Sequence, residues 1–77
     1  MIKLPIVSSR EMEKILLKLG FAKVRQKGSH AFFSHKDGRS TVVPFHSGED
    51  LGRGIIHSIL NDIEISREDY EKLRLAI

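Results

Sequence analysis

The sequence predicts a small α+β domain: one helix, three antiparallel strands, a second helix and a short C-terminal helix. Apolar residues recur with helical spacing near both ends of the chain. Between them the pattern changes to loose alternation, interrupted by tight-turn signals such as Asp37-Gly38. A chain of 77 residues forms one domain, 1–77, with a small core, because so short a chain buries only about three-fifths of its unfolded surface.

The first helix is predicted from about residue 9 to residue 19. Ser8 and Glu11 have the spacing of a capping box, in which each side chain accepts a hydrogen bond from the other residue's backbone. One apolar stripe follows at helical spacing, made of Met12, Ile15, Leu16 and Leu19. Gly20 comes directly after the stripe, so we expect it to end the helix.

Three strands follow, predicted over residues 21–26, 30–35 and 40–43. Gly28-Ser29 connects the first two strands, and Asp37-Gly38 predicts a two-residue hairpin loop between the second and the third. Such a loop would pair Phe32 with Val43 and His30 with Phe45. Pro44 has no N–H to donate, so the third strand should be an edge strand or stop pairing there. Both faces of this hairpin carry apolar residues, which leaves open which face packs on the helices.

The C-terminal part is predicted to be helical. The glycine-rich loop 45–54 contains no phosphate-binding fingerprint and should connect elements. A second helix with a broad buried face is predicted from Ile55, Ile56, Ile59, Leu60 and Ile63. Ser66 and Asp69 repeat the capping spacing. A short terminal helix should therefore follow, with its apolar positions at Tyr70, Leu73 and Ile77.

Composition narrows the function classes. The chain has no cysteine, which excludes disulfides and thiolate zinc sites, and no signal or membrane-spanning segment, so we expect a cytoplasmic protein.

Charge is uneven along the chain. Residues 1–46 carry nine Lys or Arg and three acids, a net charge of +6, whereas residues 47–77 carry four against seven, a net charge of −3. The basic half is suited to polyanions, although a charge run is also typical of a solvated surface.

Gly28-Ser29-His30 is the stretch best suited to chemistry. It follows the basic run that contains Lys23, Arg25 and Lys27. Glycine allows close approach to the backbone, serine adds a hydroxyl, and histidine can transfer protons near neutral pH. These groups could perform acid/base chemistry on a phosphate, whereas Gly-Ser alone is also common in turns.

The chain resembles a known family, the HicA-type or YcfA-like messenger-RNA interferase toxins. Matching segments occur in family-like order from residue 7 to about residue 70. They are Leu19-Gly20-Phe21, Val24-Arg25-Gln26-Lys27-Gly28-Ser29-His30, Asp37-Gly38-Arg39, Val42-Val43-Pro44-Phe45-His46, Leu51-Gly52-Arg53-Gly54 and Ser58-Ile59-Leu60. The resemblance implies a fold like that of double-stranded-RNA-binding domains, with helices on one face of an antiparallel sheet. It also implies an endoribonuclease that acts on messenger RNA with relaxed sequence preference and is inhibited by a HicB-like antitoxin.

The resemblance makes His30 the catalytic residue. Because RNA carries its own nucleophile, the 2′-hydroxyl, a histidine can act without a metal, and we predict no metal and no cofactor. His46 is a possible second acid/base group, whereas His35 and His57 are expected to be structural or merely exposed. The residues predicted to bind RNA or phosphate are Lys23, Arg25, Lys27, Gly28, Ser29, Lys36 and Arg39.

Two alternatives remain open from the sequence. The first is a non-catalytic RNA-binding module, because the implied fold also serves simply to grip RNA. The second is a protein-interaction domain whose basic half docks an acidic partner. The predicted partners are messenger RNA and the antitoxin, with no membrane. The sequence leaves the oligomeric state open, and a monomer is one of the states that the free protein could adopt.

Overall fold

The computed structural model describes residues 3–46 and 49–77. Its elements are α1 (Ser9–Lys18), β1 (Ala22–Lys27), β2 (His30–Ser34), β3 (Ser40–Pro44), α2 (Arg53–Ile63) and α3 (Arg67–Ala76). The three strands form one antiparallel sheet in the order β1-β2-β3. The predicted α+β class and element order are therefore confirmed. Ser47 and Gly48 of the predicted glycine-rich loop lie outside the described residues.

The first helix begins and ends at the residues expected from its caps. The Ser8 N–H donates to Glu11 Oε1 at 2.8 Å, and the Glu11 N–H donates to Ser8 Oγ at 3.1 Å, which completes the capping box. The bond from the Ser8 backbone is the main reason that the pKa of Glu11 is lowered. At the other end Gly20 adopts φ 97°, and the next N–H, from Phe21, donates to the carbonyl of Leu16.

The hairpin between β2 and β3 has a different register from the predicted one. The His35 N–H donates to the Arg39 carbonyl, so the loop has three residues, 36–38, and Gly38 closes it at φ 100°. The prediction of a two-residue loop was wrong because Asp37-Gly38 supplies the second and third loop residues, the glycine in the left-handed position of a bulged turn. His30 consequently pairs with Pro44 and not with Phe45. As predicted, Pro44 ends an edge strand.

A β-bulge in β1 divides the basic run between the two faces of the sheet. Lys23 pairs with Phe33, whereas Arg25 pairs with Phe32, and the extra residue between them is Val24. Cross-strand partners share a face. Lys23 therefore lies on the side of Phe33, and Arg25 lies on the opposite side with Phe32.

The helices cover one face of the sheet and leave the other uncovered. Ala31, Phe33 and Val43 point into the core. The helices contribute the buried residues Met12, Ile15, Leu16, Ile56, Ile59, Leu60, Ile63 and Tyr70. On the opposite face Phe32 and Val42 are only half-buried. We call this second side the open face; it carries the cross-strand rows Lys27–His30–Pro44 and Arg25–Phe32–Val42.

Two side chains at apolar positions of the predicted helices are exposed. Ile55 is 42 % exposed, because α2 turns the stripe 56/59/60/63 toward the core and its neighbour Ile55 points about 100° away from Ile56. Ile77 is 39 % exposed and follows the last residue of α3. Within residues 3–46 and 49–77, no helix has the length and apolar character needed to cross a membrane.

Candidate active site

His30 is the first residue of β2 and is exposed on the open face. The turn before it needs a left-handed residue, which Gly28 supplies at φ 60°. The turn is also bonded to the residue after β3, because the Phe45 N–H donates to the Ser29 carbonyl. The backbone position of His30 is thus fixed by the turn and its hydrogen bond, while its side chain is exposed.

A shallow depression of about 500 Å³ lies beside His30, between the open face and α2. Its walls are His30, Val42 and Pro44 from the sheet and Gly54, Ile55, Ser58, Ile59 and Asp62 from α2. The Asp62 carboxylate accepts a hydrogen bond from Thr41 Oγ1 at 3.0 Å, which ties α2 to β3 at this edge. The depression therefore combines an imidazole, a hydroxyl and a carboxylate with an apolar wall.

The positive charge near His30 comes from β1. Lys27 pairs directly across from His30, and Arg25 lies one cross-strand row further along the same face. The Arg25 guanidinium carbon stands 4.7 Å from the centre of the Phe32 ring. None of the three strands contains an acidic residue. This arrangement favours an anionic ligand on the open face.

Lys23 is directed to the other side of the sheet. Its ammonium lies 3.3 Å from Glu13 Oε2 of α1 and 5.3 Å from the centre of the Phe45 ring. The structure therefore does not bring Lys23 together with His30. Its predicted role in binding RNA stays a prediction.

Lys36 and Arg39 belong to the turn at the opposite end of β2 from His30. Arg39 Nε donates to Asp37 Oδ2 at 2.8 Å, its Nη1 donates to the Ile63 carbonyl, and its guanidinium carbon lies 5.2 Å from the centre of the Phe21 ring. The Arg39 backbone N–H is the main cause that lowers the pKa of Asp37. These contacts connect the hairpin turn to the end of α2 and to Phe21.

The other three histidines lie apart from the depression beside His30. His46 is exposed and lines a second depression near the start of α1, with Ser8, Ser9, Arg10, Phe45, Glu49 and Asp50. His35 packs edge-on against Phe21, with 5.1 Å between ring centres. His57 is exposed on α2, and its Nδ1 lies 3.3 Å from the Asn61 amide nitrogen. In the described part of the chain, no three His, Cys, Asp or Glu residues are grouped so that they could hold a metal ion.

Sequence reasoning selected His30 but missed the wall that α2 contributes. Ile55, Ser58 and Asp62 are spaced at i, i+3 and i+7, which places them on one face of a helix. That spacing is the signal that could have found them. The position of Phe32 on the uncovered face was also missed, because the sequence leaves open which face of the hairpin packs on the helices.

The sequence matches a known protein family over most of its length. A family model described as the HicA toxin of bacterial toxin-antitoxin systems matches residues 9–65, from the start of α1 to just beyond α2. No curated protein matches the sequence. The family match covers well over half of the chain and includes every element that lines the depression. The chain therefore belongs to the HicA toxin family of bacterial toxin-antitoxin systems.

Proposed function

We propose that this protein is an endoribonuclease toxin that cleaves messenger RNA with relaxed sequence preference, uses His30 for proton transfer, and is inhibited by a HicB-like antitoxin. Membership of the HicA family supports the role of toxin in a toxin-antitoxin system, and with it an antitoxin partner. The family is known for RNase toxins, which supports a nuclease role in general. The substrate, the residues and the identity of the antitoxin are the parts that we propose.

The observation that carries the proposal is the exposed imidazole of His30 on a cationic face that no helix covers. A histidine retained for packing would be buried, whereas His30 contributes nothing to the core. Arg25 and Lys27 lie on the same face, where they can hold a phosphate. The presence of an exposed imidazole and two cations on one face supports the proposal.

The reaction needs two proton transfers and charge stabilisation. A base removes the proton of the 2′-hydroxyl, whose oxygen forms a bond to the adjacent phosphorus while the bond from phosphorus to the 5′-oxygen breaks. An acid protonates the departing 5′-oxygen, and the products are a 2′,3′-cyclic phosphate and a 5′-hydroxyl. His30 is suited to either transfer, and Lys27 with the Ser29 hydroxyl can stabilise the phosphoryl oxygens. His46 stays a predicted second group.

Replacing His30 tests the assignment. We expect His30→Ala to reduce RNA cleavage by about 10²- to 10⁴-fold without changing the circular dichroism spectrum, because general acid/base groups contribute rate enhancements of this size. His57→Ala is the matched control, since it removes an exposed histidine outside the depression. Induction of each variant in cells, with growth and messenger-RNA integrity as readouts, extends the test. Wild-type cleavage rates in a folded His30→Ala protein would overturn the assignment.

A blocked substrate tests the nucleophile. We expect an RNA oligonucleotide with a 2′-O-methyl group at the scissile position to bind but to remain uncut, because the attacking oxygen is no longer available. The unmodified oligonucleotide should be cut in the presence of EDTA, and mass spectrometry should find the cyclic phosphate and the 5′-hydroxyl. Cleavage of the blocked strand, or complete loss of activity with the chelator, would contradict the mechanism.

The charged open face by itself favours a second candidate, a non-catalytic RNA-binding module. Such a protein would bind RNA with the same salt dependence but would release no cleaved product. Wild-type protein that binds and never cuts, under conditions in which His30→Ala binds equally well, would support this candidate.

A further inference from the structure

We infer that Arg25 and Phe32 together form a binding platform for one unpaired nucleobase of the RNA, next to the phosphate on which His30 acts. The inference rests on the proposed function and names a recognition element within it. The two residues are cross-strand partners on the open face, with the guanidinium carbon 4.7 Å from the centre of the phenyl ring. We call them the stacked pair.

The position of Phe32 needs an explanation that packing does not give. The helices cover the opposite face, where Phe33 is 1 % exposed, whereas Phe32 is only half-buried and points away from them. The guanidinium of Arg25 lies over its ring. The face of an aromatic ring attracts a cation, so the contact favours a guanidinium position above the ring.

The surroundings of the Arg25 guanidinium differ from those of several other cationic side chains. Lys23, Arg39 and Arg74 each lie close to a carboxylate, in pairs with Glu13, Asp37 and Glu71. Arg25 is exposed and lies on a sheet without acidic residues, and its described contact is the Phe32 ring. The outer face of its guanidinium therefore remains available. A planar guanidinium can stack on a base while its N–H groups donate to a phosphate oxygen.

The stacked pair lies within one nucleotide of the imidazole. Phe32 and His30 point to the same face of one strand and are separated by two residues, about 7 Å along the strand. A base stacked on Arg25 thus places its own backbone beside Lys27 and His30. Bases inside a duplex are stacked on one another and cannot use such a platform, so the site selects single-stranded RNA.

A binding experiment tests the platform without depending on catalysis. The probe is a short single-stranded RNA with one fluorescent base analogue whose emission is quenched by stacking, and every variant is made in the His30→Ala background. We expect Arg25→Lys and Phe32→Leu each to weaken binding about tenfold and to reduce the quenching, because each removes a stacking surface and leaves the net charge unchanged. The slope of log K against log salt should stay the same.

Lys27→Gln is the matched control on the same face. It removes a charge and no planar surface, so it should lower the salt slope by about 0.7 and leave the quenching intact. Equal affinity and quenching in Arg25→Lys and its parent would overturn the inference and reduce Arg25 to a phosphate contact. Arg25→Lys changes an exposed side chain, so it tests the platform even if Phe32→Leu fails to fold. Absence of cleavage by the wild type would contradict the proposed function and leave this binding result unaffected.

Discussion

Tyr70 joins α3 to the segment that precedes α1. It is the only tyrosine of the chain and is fully buried, and its hydroxyl donates to the Pro5 carbonyl at 2.6 Å. Burial raises the pKa of Tyr70 to about 12, because the phenolate would lose its hydration. The hydrogen bond that attaches α3 to the segment before α1 therefore depends on the protonation of the Tyr70 hydroxyl.

The raised pKa predicts a loss of stability in base. The folded-state pKa lies above the ordinary value of 10.0, so the contribution of Tyr70 is complete below pH 10 and is lost as the pH rises toward about 12. Tyrosinate absorbance should titrate near 12 in the native protein and near 10 in urea. Tyr70→Phe should cost about 1 kcal/mol of unfolding free energy at pH 7 and lose less stability between pH 10 and 12. A native midpoint near 10 would contradict this assignment.

At the level of one strand, β1 presents the same charge on two different faces. Lys23 is held beside Glu13 on the helix side, and Lys27 lies across from His30 on the open face. The separation comes from Val24, the extra residue in the bulge. In a regular strand without the bulge, all three basic residues would lie on one face, because every second side chain points the same way. These residues are Lys23, Arg25 and Lys27.

This difference predicts unequal effects on RNA binding. We expect Lys27→Gln to reduce the slope of log K against log salt by about 0.7, because one phosphate contact and its released counterion are lost. Lys23→Gln should reduce the slope less, since its ammonium lies beside the Glu13 carboxylate of α1. Fluorescence anisotropy across a salt series, with both variants in the His30→Ala background, measures the two slopes. Equal slopes in the two variants would contradict a stronger phosphate contact at Lys27 than at Lys23.

The elements were predictable where their signals are local. Ser8 with Glu11 and Gly20 defined α1, and Gly28-Ser29 defined the first turn, because caps and turns depend on a few adjacent residues. The register of β2 and β3 was not predictable from Asp37-Gly38, which suits a two-residue loop and the end of a three-residue loop equally well. The bulge at Val24 has no sequence signal of its own.

In the molecule as a whole, the charges that are unevenly distributed along the sequence are also separated in the fold. The strands contribute cations and no acids, whereas the acids of the second half lie in α2, α3 and the loops beside them. His30 could be selected from the sequence because its neighbours carry a motif. The side of the sheet that stays uncovered around His30 could not be predicted, because both faces carry apolar residues in the sequence and only the packing of the helices decides between them.

The order in which the chain is made has a consequence for a toxin of this design. Each strand pairs with its neighbour in sequence, so the sheet can form early from one continuous stretch of chain. Its helix-facing residues Phe33 and Val43 stay incompletely covered until α2 has been synthesised and packs on the sheet beside α1. The depression beside His30 is also completed by α2. We therefore expect a nascent chain on the ribosome to complete the depression beside His30 only after α2 has emerged. The proposed cleavage activity would then begin later than the emergence of His30 itself.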